Sequence, residues 1–167
     1  MTQVIVADAN VLINLIHVDR LGICGSIPDH EFLVPDHVAA EILEPAQQDR
    51  LASAIAQGHL RSVSIENLEI MASFVAMTDR LGRGEAACLA IAQTSGFSVA
   101  SDERGLFRRM AIETIGADRL ITTPGVYVAA IRARVLTVGD ADADKTILEG
   151  RRFRMNFASF AEILDRP

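Results

Sequence analysis

The sequence predicts an α/β fold with a mostly parallel central sheet. Short apolar runs alternate with stretches of helical periodicity along the chain. The first run, around VIVA, lacks the polar alternation of a half-exposed strand and reads as a strand buried on both faces. Half of the 167 residues are hydrophobic, yet only 5% are aromatic and Trp is absent. The core is therefore built of Ala, Val, Ile and Leu, which suits helices packed closely on a sheet. This length buries one sizeable core with little left for a second, so residues 1–167 read as a single domain. Residues 124–167 form its C-terminal helical extension.

Each element has a local reason. Residues 3–8 form the first strand, and Asp8 and Asn10 punctuate the start of an apolar helix through Ile16. Gly22, Gly25 and Pro28 mark a loop before a short strand at 31–34. Pro35 and Asp36 open a helix carrying Val38, Ala39, Ile42 and Leu43, which Pro45 ends. Residues 46–57 read as an amphipathic helix closed by Gly58, 60–65 as a strand and 67–78 as a helix. A turn at Gly82-Arg83-Gly84 precedes an Ala-rich helix over 85–95, stopped by Gly96. A buried strand at 97–100, a helix over 103–112, a strand at 120–123 and a helix from Pro124 through Val135 follow. From Asp140 onward the pattern gives one or two short helices ending in FASFAEIL.

The formal charge of −6 argues against a generally basic nucleic-acid coat, but not against a local stripe. Lys145 is the only lysine, so the positive charge is almost all Arg, which grips phosphate bidentately. Cys24 and Cys88 stand in apolar settings without a CxxC spacing and read as reduced, buried thiols. VIVADANVLINLI is interrupted by Asp8 and lacks a basic leader, so it reads as strand plus helix, not as a signal peptide. No apolar run approaches the ~20 residues of a membrane span. These features predict a cytoplasmic protein.

Four acidic residues fall where strands end or helices begin: Asp8, Glu41, Glu85 and Asp102. Each alone has an ordinary reading. Asp8 and Asp102 could be helix N-caps, Glu85 suits a helix N-terminus, and Glu41 could be a solvated surface residue. Together they place four carboxylates towards one edge of a parallel sheet. Unit charges of like sign at 4 Å repel by roughly 4 kcal/mol at an effective dielectric near 20. A divalent cation removes that conflict, and all-oxygen donors suit Mg²⁺ or Mn²⁺ over zinc. Such an ion can lower the pKa of a bound water and offset charge on phosphate oxygens, which points to phosphodiester hydrolysis.

In VIVADANVLINL, the helix bearing Glu41, GRGEAACLAIA and FSVASDERGLFRRMA, the chain resembles the PIN-domain family, the nuclease fold of VapC-type toxins. The resemblance covers nearly the whole chain and implies a three-layer α/β/α fold. It implies Asp8, Glu41, Glu85 and Asp102 as the catalytic, metal-binding set, with Asn10 and Ser101 in supporting positions. Mg²⁺ or Mn²⁺ is the implied cofactor, and single-stranded or structured RNA the substrate. A small antitoxin is the implied partner, and a homodimer is compatible with the resemblance. Two departures stand out. Glu85 occupies a position where many relatives carry Asp, and Glu103, beside Asp102, could ligate or cap the next helix; the cap is the favoured reading. Arg104, Arg108 and Arg109, on the helix after Asp102, and Arg83 are candidate phosphate contacts or exposed charge.

Other motifs carry less. Asp140, Asp142 and Asp144 mimic an EF-hand start, but Lys145 replaces the needed Gly and Arg151 the bidentate Glu, leaving a solvated turn or cap. His17, His30, His37 and His59 share no ligand spacing and read as surface or core histidines. Gly82-Arg83-Gly84 lacks both phosphate-loop patterns. A phosphoacceptor receiver would need an acidic doublet after the first strand and a late Lys following a strand; Asp8 is followed by Ala9-Asn10, and Lys145 by no such placement. A PIN-like binding or scaffold protein without turnover would share the same sequence.

Overall fold

A computed structural model describes residues 1–166. Its first strand, β1 (Gln3–Ala7), passes from exposed to fully buried along its length and runs directly into helix α1 (Ala9–His17). A 3₁₀ turn over Leu21–Gly25 leads to β2 (His30–Pro35). Then come α2 (Asp36–Ala39), α3 (Pro45–Ala56), β3 (Arg61–Val63), α4 (Leu68–Met77) and α5 (Arg83–Ser95). The second half holds β4 (Ser98–Ala100), α6 (Gly105–Ile115), β5 (Leu120–Ile121), α7 (Thr123–Arg132), α8 (Val138–Gly150) and α9 (Ala161–Leu164).

The strands pair in the order β3-β2-β1-β4-β5, and every pairing is parallel. Parallel neighbours need crossovers, and helices supply them on the sheet's faces, giving the expected α/β/α layering. β1 is central, with Ile5, Val6 and Ala7 no more than 1% exposed. The Ala-rich α5 explains the scarcity of large core residues. Its Ala86, Ala87, Ala90 and Ala92 are fully buried, and their small side chains let the helix lie close to the sheet. Gly96 ends α5 with φ at 74°, a left-handed conformation that costs glycine no Cβ clash.

Several boundaries differ from expectation for identifiable reasons. The helix opened by Pro35 and Asp36 does not run to Leu43. It stops at Ala39, Glu41 lies on the following turn, and Leu43 is 78% exposed. Pro45 does not end a helix but begins α3, because a residue without an N–H is free to occupy the first helical turn. Arg83 and Gly84 belong to α5 and not to a preceding turn. α6 starts at Gly105, two residues later than the 103–112 periodicity suggests, and continues to Ile115. The 3₁₀ turn at Leu21–Gly25 was not foreseen; glycines at both of its flanks read as plain loop.

The Asp140–Asp144 run is the larger correction. Asp140 caps α8 in reciprocal bonds with Thr137, as a cap reading expects. Asp142 instead reaches forward, accepting the Ser159 hydroxyl at 2.6 Å and the Phe160 N–H at 2.8 Å. Asp144 is only 5% exposed and is not solvated. It accepts Arg20 Nε at 2.7 Å and the Tyr127 hydroxyl at 3.0 Å, tying α8 to α7 and to the end of α1. Asp144 in turn holds the Arg20 guanidinium above its ordinary pKa. Lys145 is likewise buried in its stem and pairs with Glu149 at 2.8 Å.

Removing one partner of a buried ion pair leaves an uncompensated charge, which typically costs about 3–5 kcal/mol. Arg20→Ala should therefore destabilise the protein by about 3 kcal/mol in urea unfolding. Tyr127→Phe, which removes one hydrogen bond and keeps the ring, should cost about 1–2 kcal/mol. Equal, near-zero losses would show that Asp144 finds water or another partner.

Candidate active site

The order β3-β2-β1-β4-β5 makes the chain's course reverse between β1 and β4, and open parallel sheets form their binding crevices beyond the strand ends at such a point. Asp8 follows β1 directly and Ser101-Asp102 follow β4 directly. The Asp8 N–H donates to Ala100 O at 2.9 Å, so the two strand exits are held together.

Asp8 is 3% exposed and serves two structural roles at once. One carboxylate oxygen accepts the Ala9 N–H at 2.9 Å and caps α1. The other accepts the Ser101 hydroxyl at 2.9 Å and the Asn10 amide at 3.3 Å. Burial pushes the Asp8 carboxyl up to about 6, despite the bonds from Ser101 and Ala9. The negative charges of Glu85 and Glu41 push it the same way.

Glu41 and Glu85 come from opposite sides of the N-terminus of α5. Glu41 accepts the Gly84 N–H at 2.8 Å, and Glu85 accepts the Gly82 N–H at 3.1 Å. A Cβ at position 84 would lie 2.5 Å from a Glu41 carboxylate oxygen, so any other residue there would displace Glu41. Burial raises the Glu85 pKa against its Gly82 bond, and Glu103 and Glu41 add to the rise. Asp8, Glu41, Glu85 and Glu103 are thus near enough to feel one another's charge.

Asp102 is held differently. It accepts the Thr123 N–H at 2.7 Å, the Thr123 hydroxyl, and the Asn14 amide at 3.1 Å, and so fixes the first turn of α7. Burial raises its pKa, the Thr123 and Asn14 bonds oppose that, and Glu103 adds to it. Glu103 does not cap α6: Arg104 occupies the cap position, without a side-chain bond. The Glu103 carboxylate instead accepts the Asn10 amide at 3.1 Å. The same Asn10 accepts the Asp102 N–H through its own oxygen at 3.1 Å. Asn10 and Ser101 therefore bridge the acids, and Asp102, half-buried, and Glu103, exposed, both line the groove.

Asn14, Thr123 and Gly84 went unrecognised in the sequence. Asn14 lies four residues after Asn10 on α1, so the two share a helix face, and that spacing was a usable signal. Nothing local marks Thr123 or Gly84, whose partners lie 21 and 43 residues away. Arg104 and Arg108 line an open groove that begins at Asn10, Asp102 and Glu103; Arg109 is exposed outside that lining. Arg83 stacks over the Phe74 ring at 5.6 Å and does not line the groove.

Among the described residues, no three His, Cys, Asp or Glu side chains are gathered closely enough to hold a metal ion as they stand. The donor chemistry nevertheless fits a hard divalent cation. All donors are carboxylate oxygens, their charges oppose one another, and Glu41 and Glu103 are exposed, each held through one carboxylate oxygen by Gly84 and Asn10.

A sequence profile for a family described as PIN domain matches residues 4–137. No curated protein and no solved structure matches the chain. The parallel five-stranded sheet, the helical layers on it and the acids at its C-terminal edge agree with that match. The chain belongs to the PIN-domain family.

Proposed function

We propose that this PIN domain is a Mg²⁺- or Mn²⁺-dependent endoribonuclease that hydrolyses phosphodiester bonds in RNA, and that it is the toxin of a toxin–antitoxin pair. PIN domains are generally nucleases, and those nucleases typically use divalent metals. The observation that carries the finer reading is the carboxylate face of Asp8, Glu41, Glu85 and Glu103, where burial and mutual repulsion raise Asp8 to about 6. Such an arrangement is unfavourable without a cation and favourable with one.

Asp8, Glu41, Glu85 and Asp102 would hold the ion after side-chain rotation, with Glu103 beside them. Asp102 also accepts from Thr123 and Asn14, which positions α7. A divalent ion there supplies Lewis-acid activation of water and neutralises charge developing on phosphate oxygens. The protein's own contribution is orientation. Ser101 and Asn10 donate to Asp8, the Gly84 N–H aims Glu41, and the Gly82 N–H aims Glu85. Burial of Asp8 keeps bulk water from one side of the cluster.

The cytoplasm is the proposed compartment. Among the described residues, no helix is long and apolar enough to cross a membrane. A small antitoxin covering the acidic groove is the proposed partner, and self-association as a homodimer is a further proposal. A receiver-type reading loses its footing: receivers order their strands 2-1-3-4-5, whereas this sheet runs 3-2-1-4-5, and Lys145 is engaged by Glu149. A PIN-like binding protein without turnover is a second reading, favoured by one observation, the engagement of Asp102 by Thr123 and Asn14.

Four outcomes follow from the proposal. Asp8→Asn should abolish metal-dependent cleavage of a mixed RNA pool; cleavage equal to wild type, with EDTA still inhibiting, would remove Asp8 from the site. The same variant should be more stable than wild type at pH 7 in EDTA. Asp8 is raised from 3.8 to about 6 on folding, so the folded state binds the extra proton between those values and stability falls as pH rises through that window. The difference is on the order of 3 kcal/mol at pH 7 and vanishes below pH 4. Mn²⁺ or Mg²⁺ should raise the melting temperature of wild type at pH 7 and much less that of Asp8→Asn, because only the folded state presents the cluster. Finally, expression of the chain should arrest growth, and co-expression of a neighbouring small reading frame should relieve it; harmless expression would count against the toxin assignment.

A further inference from the structure

The groove that opens at Asn10, Asp102 and Glu103 has an unusual charge for this protein. Its volume is about 1210 Å³, and one wall is the first half of α6, with Arg104 and Arg108. The facing wall is residues 151–157, RRFRMNF, which contribute Arg151, Arg152 and Arg154. Five of the chain's 16 basic residues thus line one groove in a protein of net charge −6. Among the described residues, none of the five makes an ion pair or a side-chain hydrogen bond; the guanidiniums that do are elsewhere, on Arg20, Arg50, Arg61, Arg119 and Arg132. Unpaired arginines concentrated on one groove make it locally basic and favour an anionic occupant.

The 151–157 wall is built to stay in place. After α8 the Phe153 N–H returns to Leu148 O at 3.0 Å, and the Arg152 N–H to Glu149 O at 3.1 Å. This turn holds Arg152 at φ 68°, a left-handed conformation that an L side chain adopts only when its surroundings enforce it. Met155 is buried, and at the far end Phe160 is fully buried with its N–H on Asp142. Between these anchors Arg151, Arg152 and Arg154 are exposed, and Phe153 and Phe157 are half-buried in the groove lining. Arg151 lies near enough to His17, on the groove floor, to depress that imidazole together with burial. The segment lies beyond residues 4–137, the part that the family profile matches.

We propose that residues 151–157 and the Arg104–Arg108 face of α6 are the two walls of a clamp for the backbone of an unpaired polynucleotide strand, which they lead to the acidic edge at Asp8 and Glu103. The proposal rests on the nuclease reading of that edge and adds how the substrate is held. Arginines supply the phosphate contacts and the half-buried Phe153 supplies an apolar face, the combination that single-strand binding grooves use because unpaired bases expose their flat faces. Phe157 is already packed on Phe160 and under Lys145 and shapes the wall instead. A duplex shields its base faces and would leave the Phe153 ring unused. An acidic peptide would satisfy the arginines but offers no unpaired base to stack on the Phe153 ring.

The test is equilibrium binding of a fluorescein-labelled 12-nucleotide oligouridylate in EDTA, read by anisotropy across a salt series. Arg151→Ala/Arg154→Ala should weaken binding about tenfold or more and lower the magnitude of the log–log salt slope by about 1.4, near 0.7 per lost phosphate contact. Arg134→Ala, an exposed arginine far along the chain from the groove, should change neither. A hairpin duplex should bind the wild type more weakly than the oligouridylate. Unchanged affinity and slope in the double variant, equal duplex binding, no strand binding by the wild type, or equal competition by an oligoglutamate peptide would each overturn the clamp. Because the assay excludes metal and turnover, clamp and nuclease separate cleanly. Strand binding without cleavage leaves the clamp and removes the nuclease. Cleavage lost in Asp8→Asn but untouched in the arginine variant does the reverse.

Discussion

The burial of one carboxylate, Asp8, is the constraint around which the rest is arranged. A carboxyl raised to about 6 carries a free-energy cost in its charged form on the order of 3 kcal/mol relative to the unfolded chain. The fold accepts that cost because Asp8 also caps α1 and joins it to the end of β4 through Ser101. Replacing it by an apolar residue would relieve the electrostatic cost but leave the Ala9 N–H and the Ser101 hydroxyl without their buried partner. Site and scaffold therefore share a residue, which is why the site cannot be relaxed without loosening the junction of the two central strands.

From that junction a continuous set of polar contacts runs to the C-terminal region. Asn10 bridges Asp8 to Glu103 and accepts the Asp102 N–H. Asp102 fixes Thr123 at the start of α7. One helix turn later Tyr127 reaches Asp144 on α8, which Arg20 at the end of α1 closes from the other side. α8 then delivers residues 151–157 opposite α6. The position of the basic wall is thus tied to the acidic edge through α7 and α8, with the Asp102–Thr123 contact as the first step.

The parts of this arrangement that were legible in sequence are the local ones. β1, the capping of α1 by Asp8, and Gly96 ending α5 all follow from neighbours within a turn. That Asp8 and Asp102 lie at the same edge followed from strand order, since every strand in a parallel sheet ends on the same side. What the sequence did not show is that Asp102 also accepts hydrogen bonds from Thr123 and Asn14, which lie on α7 and α1, and that Glu103 accepts the Asn10 amide instead of capping α6. No pattern around SDERG encodes those contacts. Asp144 failed for a related reason. Its run of alternating Asp and Ala reads as a solvated surface until Arg20, 124 residues away, is brought against it.

The separation of charge along the groove has a consequence for order of assembly. A polyanion approaching the structure as it stands is drawn by the arginines at 104, 108, 151, 152 and 154 and repelled by the carboxylates beyond them. The two ends act on the same strand, so the phosphate nearest Asp8 is held only if the carboxylate charge is first offset. A divalent ion bound there and a strand in the groove would each lower the other's cost, and linkage makes that assistance reciprocal. Under this arrangement the arginines hold the strand irrespective of the ion, whereas the acidic edge admits the scissile phosphate only with it. Binding and cleavage are then governed by different residues of one groove, and the net negative charge of the chain is no obstacle to holding a nucleic acid.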